Sequence, residues 1–514
     1  MTDAPSPSRP APVPVLGARE RPAPPVAWGP LLGVAGAIGL LLLAFAGRYG
    51  YHRDELYYRV AGRHLAWGYD DQPPLVPALA RLTDRLTDGS LVALRLPSAL
   101  VVAATVLVVG LLTRELGGGR RAQVLAAAVW ATAPAVIVSG HLLSTTPFDI
   151  ACWTSVAWLL ARWVRTRDDS TLLLLGPVVG VGLLAKTLPV LFLAALGLSI
   201  LVAGPRSLLA RPPLWLGAVI AVVLWAPNLW WQATHGWPQV AMTAVIRADA
   251  DFGGRLGLLP SQLLMLGPPV AALWIAGLWR LLRSPDARPY RFLGVAYLVV
   301  LALVLITEGR EYYPVGAYPG LVAAGAIATV GWIERGAAGR RRALAGTAVA
   351  LNAAATAALG LPIYPVRTLP ETPEAAMNHD AGETVGWPEL VRTVATVYAS
   401  IPTDERAGAV IVASNYGEAG AIDRYGPAHG LPRPYSPHLA FWRWGPPPDA
   451  ATGPVIVVGG GPVGPTGWCG SVRLAARVDN GYGLDNDEQD TPIWLCRDIR
   501  APWSQVWPKL RDLG

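Results

Sequence analysis

Long apolar segments recur through the first 361 residues of this chain, separated by short loops that carry arginine. This alternation restricts the fold more than any other feature. An α-helix needs about 20 predominantly apolar residues to cross the hydrocarbon core of a bilayer, and there every backbone polar group must be satisfied inside the protein. Eleven segments fit that pattern, near 28–47, 91–112, 122–139, 148–164, 171–185, 187–203, 213–231, 259–280, 292–307, 314–333 and 343–361. With 53% hydrophobic and 15% charged residues over 514 positions, and a mean hydropathy of +0.38, the composition is that of a polytopic α-helical membrane protein. The net charge of +7 comes from arginines in the short loops, so it speaks to topology and the lipid bilayer, not to a nucleic-acid partner.

The stretch Leu172–Gly204 is too long for one upright helix and short for two. Positively charged loops stay cytoplasmic, and Arg162, Arg165 and Arg167 precede the stretch while Arg206 and Arg211 follow it. The chain must therefore go out and back, with the turn at Lys186-Thr187 and Pro189 just beyond. The same rule places Arg114, Arg120 and Arg121 inside, with Arg280, Arg283, Arg288 and Arg291, and with Arg335, Arg340, Arg341 and Arg342. Residues 1–27, rich in proline, are expected as a disordered cytoplasmic tail. The first apolar run exceeds a signal-peptide core and is expected to stay as a span. Eleven spans from an inside N-terminus put residues 362–514 outside the cell membrane. His52, His64, His141 and His235 all fall in outside loops, so polar chemistry gathers on that face.

The loop 48–90 is unusually long. Leu56, Val60, Ala61 and Leu65 lie at helical spacing, and Leu75, Leu79, Leu82 and Leu86 form a second stripe, so two amphipathic helices in the interface plane are expected. The acid pair Asp54-Glu55 stands here among aromatic and cationic flanks. A partly desolvated carboxylate can act as a general base, and helical neighbours point in different directions, so Asp54 is taken as the base and Glu55 as its support. His52, Arg53 and Tyr57 flank them. Asp70-Asp71 with Gln72-Pro73-Pro74 is a turn that either is simply solvated or lines a cavity. Asp149, at the head of the fourth span, is costly there unless it faces a cavity. Lys186, one of only two lysines, and Arg310 with Tyr312 and Tyr313 are phosphate-binding candidates, against snorkelling and an aromatic belt as the plain readings. His235, in an aromatic segment, is a weaker candidate. The histidines are scattered, and with no HxxxH or HExxH spacing no metal signature is convincing.

Residues 362–514 are polar enough for a soluble α/β or α+β domain. Strand-like runs occur at Ala409–Ser414, Pro454–Val458, Ser471–Val478 and Pro492–Arg497, and a helical stretch at Pro388–Ile401. Cys469 and Cys496 are either a disulfide, which an external compartment permits, or two free thiols. Cys152 lies in a span and reads as packing. The run Gly459-Gly460-Gly461-Pro462-Val463-Gly464 lacks a dinucleotide-binding spacing and is read as a loop.

The segment Tyr51-His52-Arg53-Asp54-Glu55-Leu56-Tyr57-Tyr58 after the first span, the Asp71-Gln72-Pro73-Pro74-Leu75 turn, the Lys186 turn and Glu311-Tyr312-Tyr313-Pro314 together resemble the family 39 glycosyltransferases, the group of the protein O-mannosyltransferases and aminoarabinose transferases. The resemblance covers about 28–335. It implies a GT-C membrane module with juxtamembrane helices in the first outer loop, a polyprenyl-phosphate sugar donor and a catalytic acid at Asp54. The implied reaction is a single inverting displacement onto a hydroxyl of an extracytoplasmic glycan, lipid or protein acceptor, with the leaving phosphate stabilised by Lys186 and Arg310. Two cations on the phosphate make a metal unnecessary, so metal independence is expected, with Mg²⁺ or Mn²⁺ left open. A transporter or flippase is the competing class, favoured by the many spans and the broken one but lacking an inverted repeat. A non-catalytic scaffold would leave the long first loop unexplained.

Overall fold

The computed structural model describes residues 23–248, 254–460 and 464–514. Residues 1–22 of the expected tail and 461–463 of the glycine run lie outside the described residues. Residues 23–27 are anchored: Ala27 N–H donates to Gln123 Oε1 at 3.0 Å, and the carbonyls of Pro24 and Pro25 accept from Arg114 and Gln123. The expectation of a disordered segment running to residue 27 is corrected to that extent.

The chain begins with α1 (Trp28–Phe45), passes through α2 (Arg53–Arg63) and α3 (Leu75–Thr87) in the first loop, and returns to the apolar bundle as α4 (Leu91–Glu115). The bundle continues with α5 (Arg120–Ala131), α6 (Pro134–His141), α7 (Thr146–Thr166), α8 (Ser170–Ala185), α9 (Pro189–Ala203) and α10 (Pro212–Thr234). After α11 (Pro238–Ala248) come α12 (Gly254–Leu266), α13 (Ala271–Arg283), α14 (Arg291–Thr307), α15 (Tyr318–Glu334) and α16 (Ala338–Gly360). All eleven expected segments are helical. Among the described residues, six helices are long and apolar enough to cross a membrane, or eight if each of two bent pairs counts as one span. The other three of the eleven expected spans fall outside that measure of length and composition: α7 is too polar for it, and α8 and α9 are shorter apolar helices. The α12–α13 pair bends by 85° where Gly267 takes a φ of +95° ahead of two prolines.

The break inside 172–204 falls where charge required it. Lys186 is extended (φ −154°, ψ 147°) between α8 and α9, each only about 22–24 Å long and short of the roughly 30 Å core. The basic loops also meet. Glu115, buried at the end of α4, takes Arg114 at 2.9 Å, Arg165 from the last turn of α7, and Arg162 at 3.9 Å. Arg95, about 30 Å away along α4, marks the opposite end, where the first loop sits.

Beyond Leu361, the main elements are α17 (Trp387–Ala399), β1 (Val410–Ala413), α18 (Tyr416–Tyr425), β2 (Pro434–Tyr435), α19 (Leu439–Arg443), β3 (Val455–Val458), β4 (Cys469–Arg477) and β5 (Pro492–Ile499). The sheet order is β2-β1-β3-β5-β4, parallel across the first three strands and antiparallel beyond. The uninterrupted apolar runs of β1 and β3 suit strands covered on both faces, and both are fully buried. Cys469 and Cys496 are disulfide-bonded, Cα–Cα 5.9 Å, joining the neighbouring antiparallel strands β4 and β5.

This sheet does not stand apart from the first loop. Leu56, Tyr57 and Val60 of α2 share one core with Leu390 and Val394 of α17, Ile411 of β1 and Ile422 of α18. A side chain at Gly420 would place a Cβ 2.8 Å from that of Leu56, so the approach of α18 to α2 requires glycine there. The expectation that α2 lies in the interface plane is therefore corrected: its apolar face is covered by protein. On α3, Val76 and Ala80 face inward, while Leu82 (53%) and Leu86 (73%) of the expected stripe are exposed.

Candidate active site

Helix α2 begins with a reciprocal cap. His52 Nδ1 accepts from Asp54 N–H at 3.2 Å, and Glu55 Oε2 accepts from His52 N–H at 2.9 Å, which satisfies donors the first turn would otherwise leave open. Glu55 is fully buried and forms a two-pronged ion pair with Arg95, Nε to Oε1 at 2.9 Å and Nη2 to Oε2 at 2.8 Å. It also accepts from Leu143 N–H at 2.9 Å. Arg95 in turn donates to the carbonyls of Ala46 and Gly50 at 2.9 and 2.7 Å. One carboxylate thus fixes α2 to the end of α1, the start of α4 and the loop before α7.

Asp54, one residue earlier, faces the other way. Its Oδ1 accepts from Tyr416 Oη at 2.8 Å, at the start of α18, and its Oδ2 from Tyr58 Oη at 3.4 Å. Burial holds both phenols well above their ordinary pKa, so they remain donors. Tyr57 Oη donates to Asp71 Oδ1 at 2.7 Å, and its ring centroid lies 5.1 Å from that of Tyr416. Burial pushes Asp71 up from 3.8 to about 7, against the hydrogen bond from Tyr57 and with help from the charges of Asp54 and Asp70. Beside it the side-chain amide of Gln72 is buried with neither end hydrogen-bonded.

A second group gathers at the α8–α9 turn. Lys186 Nζ lies 4.9 and 5.5 Å from the ring centroids of Tyr312 and Tyr313 and 3.4 Å from Thr146 Oγ1. Cations favour the faces of aromatic rings, which positions this ammonium without neutralising it. Asp149, buried at the head of α7, accepts from Trp153 Nε1 at 2.8 Å. Tyr312 connects the groups: burial raises its phenol above the usual range, Arg310 opposes that, and the charges of Glu311, Asp380 and Asp54 add to it.

Other expected residues take supporting places. Arg53 bonds Asp487 at 2.9 Å, lies 3.6 Å from Glu383 and covers the ring of Tyr416 at 5.0 Å. Asp70 is buried under Arg443, at 2.6 Å, and Arg511, at 3.0 Å. It ties the first loop to the C-terminal region and is removed from the cavity lining. For a metal, His379, Glu383 and Asp487 bring ligand atoms within 4.8 Å of one another, but Arg53 already contacts both acids.

Comparisons with known proteins converge on one architecture. A family model described as dolichyl-phosphate-mannose-protein mannosyltransferase matches residues 71–231. The structure of ArnT from Cupriavidus metallidurans, bound to undecaprenyl phosphate, superposes with a TM-score of 0.58 at 16% identity, over 91% of this chain and 98% of that one. The chain has the GT-C glycosyltransferase fold. Two further GT-C structures superpose with a TM-score of 0.51: the oligosaccharyltransferase AglB from Archaeoglobus fulgidus, at 14% identity over 78% of this chain and 63% of that one, and the mycobacterial arabinofuranosyltransferase AftD, at 15% identity over 94% and 40%. In sequence, the lipid A galacturonosyltransferase RgtD of Rhizobium johnstonii is 26% identical over 269 residues, 51% of this chain. The match spans 56% of that relative, little more than half its length. The apolar helices and this GT-C architecture make the chain a multi-pass membrane protein.

Within the GT-C frame, the structure brings Asp54, Tyr57 and Asp71 into one cluster and Lys186, Tyr312 and Tyr313 into another. Sequence reading missed Arg95, Tyr58, Tyr416, Arg443 and Arg511. A signal existed for two of these. Arg95 is a lone charge in an apolar run, and Asn415 with Glu418 forms a capping box announcing α18 (Asn415 Oδ1 from Glu418 N–H, 2.9 Å).

Proposed function

We propose that this chain is a membrane glycosyltransferase that moves a sugar from a polyprenyl-phosphate donor to an acceptor hydroxyl at the outer membrane face, with inversion. The carrying observation is the arrangement of Asp54, an acid held by two phenols at the end of the bundle where Lys186 meets Tyr312 and Tyr313. In this reading Asp54 takes the proton of the acceptor hydroxyl as its oxygen attacks the anomeric carbon. The bond from that carbon to the phosphate oxygen breaks on the opposite face. The lipid phosphate leaves with the electron pair, and Lys186 and Arg310 meet its charge. Gln72 and Asp71 offer hydrogen bonds to the sugar, and Asp149 and Tyr313 hold the turn around Lys186. Glu55, His52 and Arg53 support the base without touching substrate. The cations make a divalent metal unnecessary, the N-terminus is cytoplasmic, and the C-terminal region is external. The match to the dolichyl-phosphate-mannose mannosyltransferase family and the likeness to ArnT bound to undecaprenyl phosphate support the donor class. The test is transfer of radiolabelled sugar from a polyprenyl phosphate to a cell-envelope fraction by the purified chain in the presence of a chelator. Label in the acceptor fraction supports the reading. Donor movement across a bilayer without transfer would replace it with a flippase.

A further inference from the structure

We propose that a cleft beside the acid cluster is a saccharide subsite, holding the part of a glycan acceptor next to the reacting hydroxyl; this rests on the glycosyltransferase reading above. The cleft has a volume of about 320 Å³ and lies between the segment after α2, the end of α10 and α19. That is the lower end of the range for small-molecule sites, roughly 300–1,000 Å³, and suits a mono- or disaccharide unit. Its walls are two stacked ring pairs. His64 lies on Trp444, centroids 4.5 Å apart and planes 16° from parallel, and Trp231 lies on His235 at 4.1 Å and 11°. A sugar ring presents weakly positive C–H faces, which pack on the negative faces of aromatic rings, and a rim of hydroxyls, which needs donors and acceptors.

The donors are present and in excess over acid. Arg443 covers the ring of Trp231 at 5.4 Å, and it shares a single carboxylate, Asp70, with Arg511. Arg433 Nη2 approaches His64 Nε2 at 3.3 Å. An interfacial aromatic belt does not account for this arrangement. Belt residues present single rings to lipid, as the 74% exposed Trp230 does, whereas these rings are paired and adjoin an arginine from α19. Trp444 connects cleft to chemistry. It stacks on His64 and lies 6.4 Å from Tyr57, whose hydroxyl bonds Asp71.

The test is saturation-transfer NMR on the full chain in nanodiscs, with soluble disaccharides of hexoses and of pentoses as probes and glycerol as a control polyol. At least one disaccharide is expected to receive saturation at its ring C–H protons, and glycerol none. Trp231→Ala and His235→Ala should each weaken that binding roughly three- to tenfold, the size of one ring contact. His235 is exposed, so its replacement spares the core. Binding unchanged in both ring variants would overturn the proposal. So would no disaccharide binding by a chain that still transfers sugar, which would leave the glycosyltransferase reading standing. Saccharide binding without any transfer would retain the cleft and remove that reading instead.

Discussion

Asp54 and Glu55 are neighbours in the chain held in opposite circumstances. Glu55 is enclosed by Arg95 and two backbone N–H groups, so replacing it by alanine strands a buried guanidinium. We expect Glu55→Ala to lower stability by about 3–5 kcal/mol, the cost of breaking a buried pair from one side. Denaturant unfolding would show this, and a loss within 1 kcal/mol would refute the clamp. Asp71 makes a different prediction. Its carboxyl is raised from 3.8 to about 7, so between those values the folded chain binds more protons than the unfolded one and stability falls as pH rises. Asp71→Asn should remove that component, flattening the melting temperature between about pH 4 and 7 relative to the parent. An unchanged slope would place the titration elsewhere. Asp54 was legible because an acid just outside a span with aromatic flanks is unusual. Tyr416, 362 residues away, was not, because no local pattern records a contact made by tertiary folding.

At the scale of elements, loop charges predicted a break between α8 and α9, because arginine on both sides of so long an apolar stretch calls for a turn within it. The turn presents Lys186 to the rings of Tyr312 and Tyr313. Lys186→Met should keep the fold and raise the donor KM at least tenfold while the acceptor KM holds, as expected from loss of a charge-assisted contact of about 1.5–3 kcal/mol. Equal effects on both substrates would contradict a phosphate role. The β4–β5 disulfide closes a separation of 27 residues, for which chain entropy gives about 3.5 kcal/mol. Cys496→Ser should lower stability by about that amount, seen as a shift in the denaturation midpoint. The strands themselves were readable from apolar runs bounded by turn residues. The placement of α2 was not, since an amphipathic stripe shows that a face is covered without showing by what.

For the molecule as a whole, the first loop and the C-terminal region form one body that closes over the end of the helix bundle. Tyr416 of α18 reaches Asp54 of α2, and Arg443 and Arg511 reach Asp70. Hydropathy revealed the bundle and the polar tail as separate regions, but their joining depends on Asp70, Gly420 and Tyr416, which look unremarkable in the sequence. The central claim is that Asp54 is the base of a sugar transfer, and it is tested most directly by the rate of label transfer from polyprenyl-phosphate sugar by Asp54→Asn. That substitution keeps the shape of the side chain and one of the two acceptors that Tyr416 and Tyr58 use, turns the other into a donor that a phenol oxygen can accept from, and removes the basicity. General-base catalysis contributes about 10²–10⁴-fold, so the rate should fall by at least a hundredfold, with donor binding and melting temperature close to the parent's. Transfer within a few fold of the parent rate would contradict the account.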